Sequence, residues 1–289
     1  MKQRIGVKKW IITGGSVLFG TFIIISCFLP WCRNIAALSA NPDGLFESMV
    51  YMFIHSRKIW INGTVGTLTV SFLGTVIGFC IAILLTLQRT AVSSEDEPIV
   101  HRIGKVVGQK SEILYVTIIR GTPMMVQACI IYYGGFAITR AIMKNATITE
   151  INRTWSFFAA ALITVSLNTS AYLAEVLRGG VEAIDQGQTE AAFALGLTRW
   201  QTMRKVVFPQ AIRNCLPAIG NELINNIKGT SVLNVIGFVE LMFATGTVAG
   251  FYYKYLAAYC NAAIIYLCLT VSLTKLLNFT MRKVGLMTK

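Results

Sequence analysis

Charge is what this 289-residue chain has least of: 13% of its residues are Asp, Glu, Lys or Arg, about half the fraction usual in a soluble globular domain. Acid is scarcer than base, 13 residues against 26. The chain has two histidines, His55 and His101, too few for a histidine cluster that could ligate a metal. Seven cysteines are scattered without metal-ligand spacing, most of them inside apolar runs. A thiol there behaves as a small apolar side chain, so no disulfide or metal is assigned. There are no paired carboxylates and no nucleophile motif, which argues against a membrane enzyme. No G-x-x-x-x-G-K-[ST] sequence occurs, so the chain does not hold a nucleotide by that device. Internal repeats and low-complexity tracts are also missing.

What is there is apolar. Hydrophobic residues make up 54% of the chain and the mean hydropathy is +0.61. Several runs are long enough to cross a bilayer as helices. The expected fold class is therefore all-α and integral to the membrane. The net charge of +13 does not mark a nucleic-acid binder. Its basic residues cluster beside the ends of apolar runs, where they act as topology signals.

In chain order, Lys2, Arg4, Lys8 and Lys9 precede an apolar run from Trp10 to Trp31. Its length and its framing tryptophans favour a retained first span. A signal peptide cleaved near Ala37-Leu38-Ser39-Ala40 is the alternative. A non-cytoplasmic segment follows to Lys58, with a turn at Asn41-Pro42-Asp43-Gly44 and a short interfacial helix over Leu45–Ile54. Residues 1–58 thus read as an anchor with an extracytoplasmic segment, and 59–289 as the main domain. Further spans are expected at about 61–87, 113–138, 155–177, 212–248 and 256–277. Residues 93–111 read as a cytoplasmic linker with a short helix, and 140–153 as an outer loop. Basic residues then gather on the side of both termini, as the positive-inside rule requires. Arg57 and Lys58, on the outer side, run against it.

Polar residues inside these runs are the candidate site. Arg120 and Gln127 flank Pro123, which removes a donor and kinks the third span. Arg120 either meets cargo or anchors the helix end by snorkelling. Asn168, Tyr172 and Glu175 share one face of the fourth span by their spacing of four and three. In lipid such a face looks into the bundle or a wet cavity. Asn221, Asn225 and Lys228 share a face of the fifth region, and Gly229-Thr230-Ser231 is expected to break that helix. A broken helix frees backbone groups that can hold a small polar molecule. Hydrogen bonding between subunits is the alternative use of Asn221, Asn225, Lys228, Thr230 and Ser231.

The most informative stretch lies between the fourth and fifth spans, within 178–211. Gln188–Pro209 reads QTEAAFALGLTRWQTMRKVVFP. It is polar, basic and far too long for a hairpin. Two short helices with a bend are expected: Glu190 in the first turn of the first, Gly196 at the bend, and Pro209 ending the second. Leu197, Trp200, Met203 and Val207 form an apolar stripe on the second. A helix pair lying on the membrane surface is the bland reading.

Glu190-Ala191-Ala192, Gly196, Val206, Phe208 and Pro209 resemble the Glu-Ala-Ala loop of ATP-binding-cassette importer permeases. Val206 and Phe208 stand where that family usually has Ile and Leu. Arg120-Gly121-Thr122-Pro123 with Val126-Gln127, and Ala171-Tyr172 with Ala174-Glu175 and Arg178-Gly179-Gly180, resemble its polar amino acid uptake branch. The branch commonly has Lys-Asp-Thr-Ser where this chain has Lys228-Gly229-Thr230-Ser231.

The resemblance implies a type I importer permease bundle with a five-span core, here with an extra N-terminal span. It implies that the loop docks on separate cytoplasmic ATPase subunits, which bind the ATP and Mg; no cofactor is expected in this chain. It also implies a second permease subunit, alike or different, and an extracytoplasmic amino acid binding protein in a prokaryotic cell membrane. A passive channel or ion-coupled carrier that needs no ATPase is the rival. It would draw on the charges of Arg120, Glu222 and Lys228.

Overall fold

The computed structural model describes residues 29–38, 40–90 and 98–283. The expected first span lies outside them except for its last three residues. The expected linker lies outside them over 93–97, as do residues 284–289. The described elements are helical: α1 (Leu29–Ala36), α2 (Leu45–His55), α3 (Arg57–Arg89), α4 (Ile99–Gly121), α5 (Met124–Ile142), α6 (Ile148–Thr154), α7 (Phe157–Glu182), α8 (Gln186–Ala194), α9 (Arg199–Thr202), α10 (Phe208–Gly229), α11 (Leu241–Tyr252) and α12 (Tyr255–Lys283). A π turn, Met203–Val207, joins α9 to α10, and a 3₁₀ segment, Thr230–Ile236, follows α10.

Among the described residues, four helical stretches are long and apolar enough to cross a membrane: 57–89, 124–142, 148–182 and 255–283. The stretch 199–236 with α11 makes a fifth, bent by 56° at its break. The third expected span and the linker before it change in detail. The third is not one kinked helix over 113–138. Pro123 cannot donate to the helix, and it drives Thr122 to an extended conformation (φ −119°, ψ 144°). The chain therefore stops at Gly121 and restarts at Met124. The short helix expected in the 93–111 linker is the first half of the 23-residue α4. The fifth span breaks at Gly229–Thr230, as its sequence suggests, and turns at Gly237 in the left-handed region (φ 88°).

The chain divides into two compact units, one formed by 1–61 with 245–263 and the other by 62–244 with 264–289. In the first, Ser48, Tyr51 and Met52 are buried on α2. Asn261 Nδ2 donates to the Met49 carbonyl at 2.9 Å, and the Tyr51 and Tyr252 rings meet edge to face at 6.0 Å. Lys254 Nζ donates to Ser48 Oγ at 3.1 Å and to the Pro42 carbonyl, which secures the turn at residues 41–44.

In the second unit α7 is the central helix. Its small residues Ala160, Ala161, Ala171 and Ala174 are all buried, so neighbouring helices approach closely. One close approach is by α3. A Cβ at Gly74 would lie 2.5 Å from Val165 Cγ1, and one at Gly78 would lie 2.8 Å from Thr169 Cβ. No larger residue fits either place without a shift. One apolar cluster gathers Val70, Ala128, Tyr132, Val165, Leu233 and Phe238; another gathers Ala82, Val116, Leu173, Leu177 and Cys215.

Candidate translocation path and coupling segment

The break between α4 and α5 is closed by a side chain. Gln127 is buried, and its Nε2 donates to the Ile119 carbonyl at 2.7 Å and to the Thr122 carbonyl at 3.0 Å. These are carbonyls that the broken helix leaves without intrahelical donors. Its Oε1 accepts from Asn168 Nδ2 at 3.2 Å, which ties the break to α7. One turn along α7, the Tyr172 ring lies under the Arg120 guanidinium, 5.3 Å from the ring centroid, within cation–π range. Another turn along, Glu175 Oε1 accepts from Arg178 at 2.5 and 3.0 Å. Arg120, Gln127, Asn168 and Tyr172 therefore come together around the break, and Glu175 is engaged by Arg178 on its own helix.

On α10, Asn221, Asn225 and Lys228 are exposed in the single chain, as is expected of a face meant for a cavity or a second subunit. Thr230 is buried and its hydroxyl donates to the Ile227 carbonyl at 3.1 Å; Ser231 is half-buried. Asn226 faces the other way. It is buried, and its Nδ2 donates to Thr75 Oγ1 at 2.8 Å and Thr169 Oγ1 at 2.9 Å, linking α3, α7 and α10. Spacing alone does not separate Asn226 from Asn225.

Glu240 is a functional-looking residue that the sequence reading passed over. It is fully buried at the N-terminus of α11, where its carboxylate accepts from the Met242 and Phe243 backbone N–H groups at 2.7 and 2.6 Å and from Tyr266 Oη at 3.2 Å. Its signal was available: it is the one acid in the long apolar stretch 223–256. Glu112 was missed in the same way. It is buried and paired to Arg89 at 2.6 Å. Among the described residues no group of His, Cys, Asp and Glu is arranged to hold a metal.

The segment after α7 is two helices with a bend, but two of its details differ from expectation. The helix start is capped by Asp185, whose carboxylate accepts from Gly187 N at 2.7 Å. Glu190 therefore sits in the second turn, exposed, not in the first. Ala191 is exposed and Ala192 buried. Gly196 closes α8 in the left-handed region (φ 78°), with Leu197 N donating to the Ala192 carbonyl at 3.1 Å and Gly196 N to the Phe193 carbonyl at 2.9 Å. This is a Schellman ending, in which glycine carries no Cβ penalty.

Thr198 then caps α9 in a reciprocal pair with Gln201. Pro209 does not end this second helix. The turn over Met203–Val207 widens to a π pattern, with Phe208 N donating to the Met203 carbonyl. Val207 to Pro209 then lead straight into α10 with proline at its start. A π turn relaxes the four-residue ladder at the place where proline has no N–H to give. The chain from Arg199 to Gly229 is thus one uninterrupted helical run, with Val206 half-buried and Pro209 exposed along it. Leu197 lies before the helix, while Trp200, Met203 and Val207 line one cavity.

Long apolar helices with a bent fifth span, continuous with an exposed segment of short helices, are the architecture of a multi-pass membrane protein. The chain belongs to the family of inner membrane components of binding-protein-dependent transport systems, whose profile matches residues 113–284. It is 32% identical over 227 residues to the nopaline transport system permease protein NocM of Agrobacterium fabrum, covering 78% of this chain and 88% of that one. It is 34% identical over 227 residues to the glutamine transport system permease protein GlnP of Escherichia coli K12, covering 78% and 93%. Among solved structures, an amino acid ABC transporter crystallised with histidines matches with a TM-score of 0.65 and 32% identity, over 80% of this chain and 96% of that one. The MetNI methionine transporter in an inward-facing form matches in fold, with a TM-score of 0.58 at 18% identity over 83% and 98%. The protein is a multi-pass membrane subunit of a transport system, and in its family the membrane component is not itself the catalyst.

Proposed function

We propose that the chain is the permease of an ATP-driven amino acid importer and forms its translocation path by alternating access. The observation that carries the reading is the uninterrupted helical run. The exposed Glu190–Gly196 segment is locked by the Gly196 ending and the π turn to α10, the helix bearing the exposed Asn221, Asn225 and Lys228. In this reading, movement of the segment is passed along that helical run to the path. The relatives' names favour amino acids as cargo.

The partners in this reading are two cytoplasmic ATPase subunits that bind ATP and Mg, a second permease, alike or different, and an extracytoplasmic binding protein. Both termini and the Glu190 segment face the cytoplasm. Glu190, Ala191, Ala192, Gly196, Val206, Phe208 and Pro209 form the coupling surface. Arg120, Gln127, Asn168, Tyr172, Glu175, Asn221, Asn225, Lys228, Thr230 and Ser231 lie along the path. Among them Gln127 and Thr230 act chiefly on backbone carbonyls and shape the two breaks. ATP can drive the cycle only by binding one conformation of the assembly better than the other.

Purification of the tagged chain in mild detergent from its native cell tests this, with ATPase assayed against a panel of amino acids. A co-purifying ATPase stimulated by one amino acid with its binding protein is the expected result. A chain that purifies alone and still moves solute in vesicles would give the reading to the channel or carrier.

A further inference from the structure

Three of the spanning stretches leave a groove between them. Phe72 and Val76 of α3, Leu216 and Leu223 of α10, and Leu277 and Met281 of α12 line about 290 Å³. The α10 and α12 walls come together at Gly220, where a Cβ would lie 3.1 Å from Met281 Cε and 3.2 Å from Leu277 Cδ1. The groove is open beside α3, where Phe72 and Val76 are exposed. Its room is less than one turn of helix fills, roughly 400 Å³ for a cylinder ~10 Å wide and ~5.4 Å long. No helix fits inside it, whereas a single hydrocarbon chain does.

The wall offers nothing to a polar molecule. Its two hydroxyls are engaged by their own helices: Thr75 Oγ1 donates to the Ser71 carbonyl at 2.7 Å and Thr280 Oγ1 to the Leu276 carbonyl at 2.9 Å. The surface left to the groove is almost wholly carbon. A polar group placed there would lose its water and gain no hydrogen bond. Basic residues stand beyond one end. Arg213 precedes Leu216 by three residues on α10, one turn away on the same side. Arg282 follows Met281 in the last turn of α12. Both are exposed, and neither is paired with a carboxylate among the described residues. Cations at the ends of spans stand at the level of lipid headgroups.

We propose that the groove holds an acyl chain of an anionic phospholipid, from the leaflet on the side of the Gln186–Val207 segment, with its headgroup phosphate at Arg213 and Arg282. The ligand class follows from the two parts of the site: a carbon-lined slot among spanning helices, and unpaired cations where that slot reaches the headgroups. The chain packs against α3 and α10 beside Thr75, whose oxygen accepts from Asn226 at 2.8 Å. It therefore lies behind the junction at which Asn226 joins α3, α7 and α10. The binding does not rest on the cargo or the cycle proposed above.

The test uses the intact transporter, stripped of lipid in detergent and titrated with phosphatidylglycerol or phosphatidylcholine, with bound lipids counted by native mass spectrometry. Phosphatidylglycerol should saturate one site per copy of this chain, a site that phosphatidylcholine fills more weakly. One cation beside an anionic headgroup is worth about fivefold in affinity. Arg213→Gln and Arg282→Gln should therefore each weaken phosphatidylglycerol about fivefold and leave phosphatidylcholine unchanged. Val76→Trp fills the groove from α3 and Thr280→Phe fills it from α12. Either variant, shown to be folded by its melting transition, should lose that lipid. Val65→Trp, at another exposed position of α3 outside the groove, should retain it. Retention of phosphatidylglycerol by the filled variants, or equal binding of the two phospholipids, overturns the site. Loss of a second permease chain from the filled variants, with the lipid count unchanged, also overturns it and gives the groove to a side chain of that subunit.

Discussion

Replacing Asn226 by leucine removes a polar junction at the meeting of three helices. Asn226 is 4% exposed and donates to Thr75 at 2.8 Å and to Thr169 at 2.9 Å. Hydrogen bonds between membrane helices average about 0.6 kcal/mol and reach about 1.7, so the two together are worth about 1–3 kcal/mol. The lower half of that range is expected, because the Thr75 hydroxyl proton already goes to the Ser71 carbonyl at 2.7 Å and is not orphaned. Leucine has the same branched outline as asparagine and is the bulkier of the two, so no cavity adds to the loss. The measurement is a double-mutant cycle of Asn226→Leu with Thr169→Val, read by reversible denaturant titration of the purified chain in mixed micelles. The coupling energy should be about 0.5–1.5 kcal/mol, up to about a tenfold change in the folding constant. A coupling energy within about 0.3 kcal/mol of zero, with both single variants folded, would refute the assignment of this hydrogen bond as a stabilising link.

Arg89→Ala leaves buried Glu112 without its cation and should cost about 3 kcal/mol or more in thermal unfolding, as breaking a buried pair does; Arg89→Lys should recover part of it. Gly78→Leu drives a side chain into Thr169, 2.8 Å from the first added carbon, and should lower the detergent melting point sharply, by an overpacking cost of about 1–3 kcal/mol; an unchanged melting point would mean that α3 and α7 are farther apart. Gly196→Ala should cost about 1 kcal/mol through its left-handed backbone and, like Glu190→Ala, should reduce uptake in vesicles while membrane insertion is retained. Normal uptake by both variants would remove this segment from the coupling path.

Much of the fold was legible because its determinants are local. A long apolar run must be a helix in lipid, since no water is present to satisfy a bare backbone. The disturbance at Pro123 follows from a missing N–H, though as a full break where a kink was expected, and the bend at Gly196 follows from a missing Cβ. The helix pair with its bend at Gly196 could be placed because its caps and its glycine lie within one stretch of chain. The candidate path was only partly legible. Spacing placed Asn168, Tyr172 and Glu175 on one side of a helix, but it did not tell that Gln127 would close the helix break and hold Asn168 in doing so. Asn225 and Asn226 are alike in composition and neighbours in sequence, yet one is exposed and the other joins three helices.

By itself, then, the sequence determined an all-helical membrane chain, the break at Gly229–Thr230 and the bend at Gly196, since each depends on residues within a few positions of one another. Only the tertiary structure decided that Pro209 continues a helix through a π turn instead of ending one, because the relief of its missing donor is a matter of backbone geometry over the whole turn. Only packing decided that Glu112 meets Arg89, that Glu240 caps α11 beneath Tyr266, and that Asn226 turns inward. These pairings join residues distant in the chain, and they are set by the depth at which one helix lies against another.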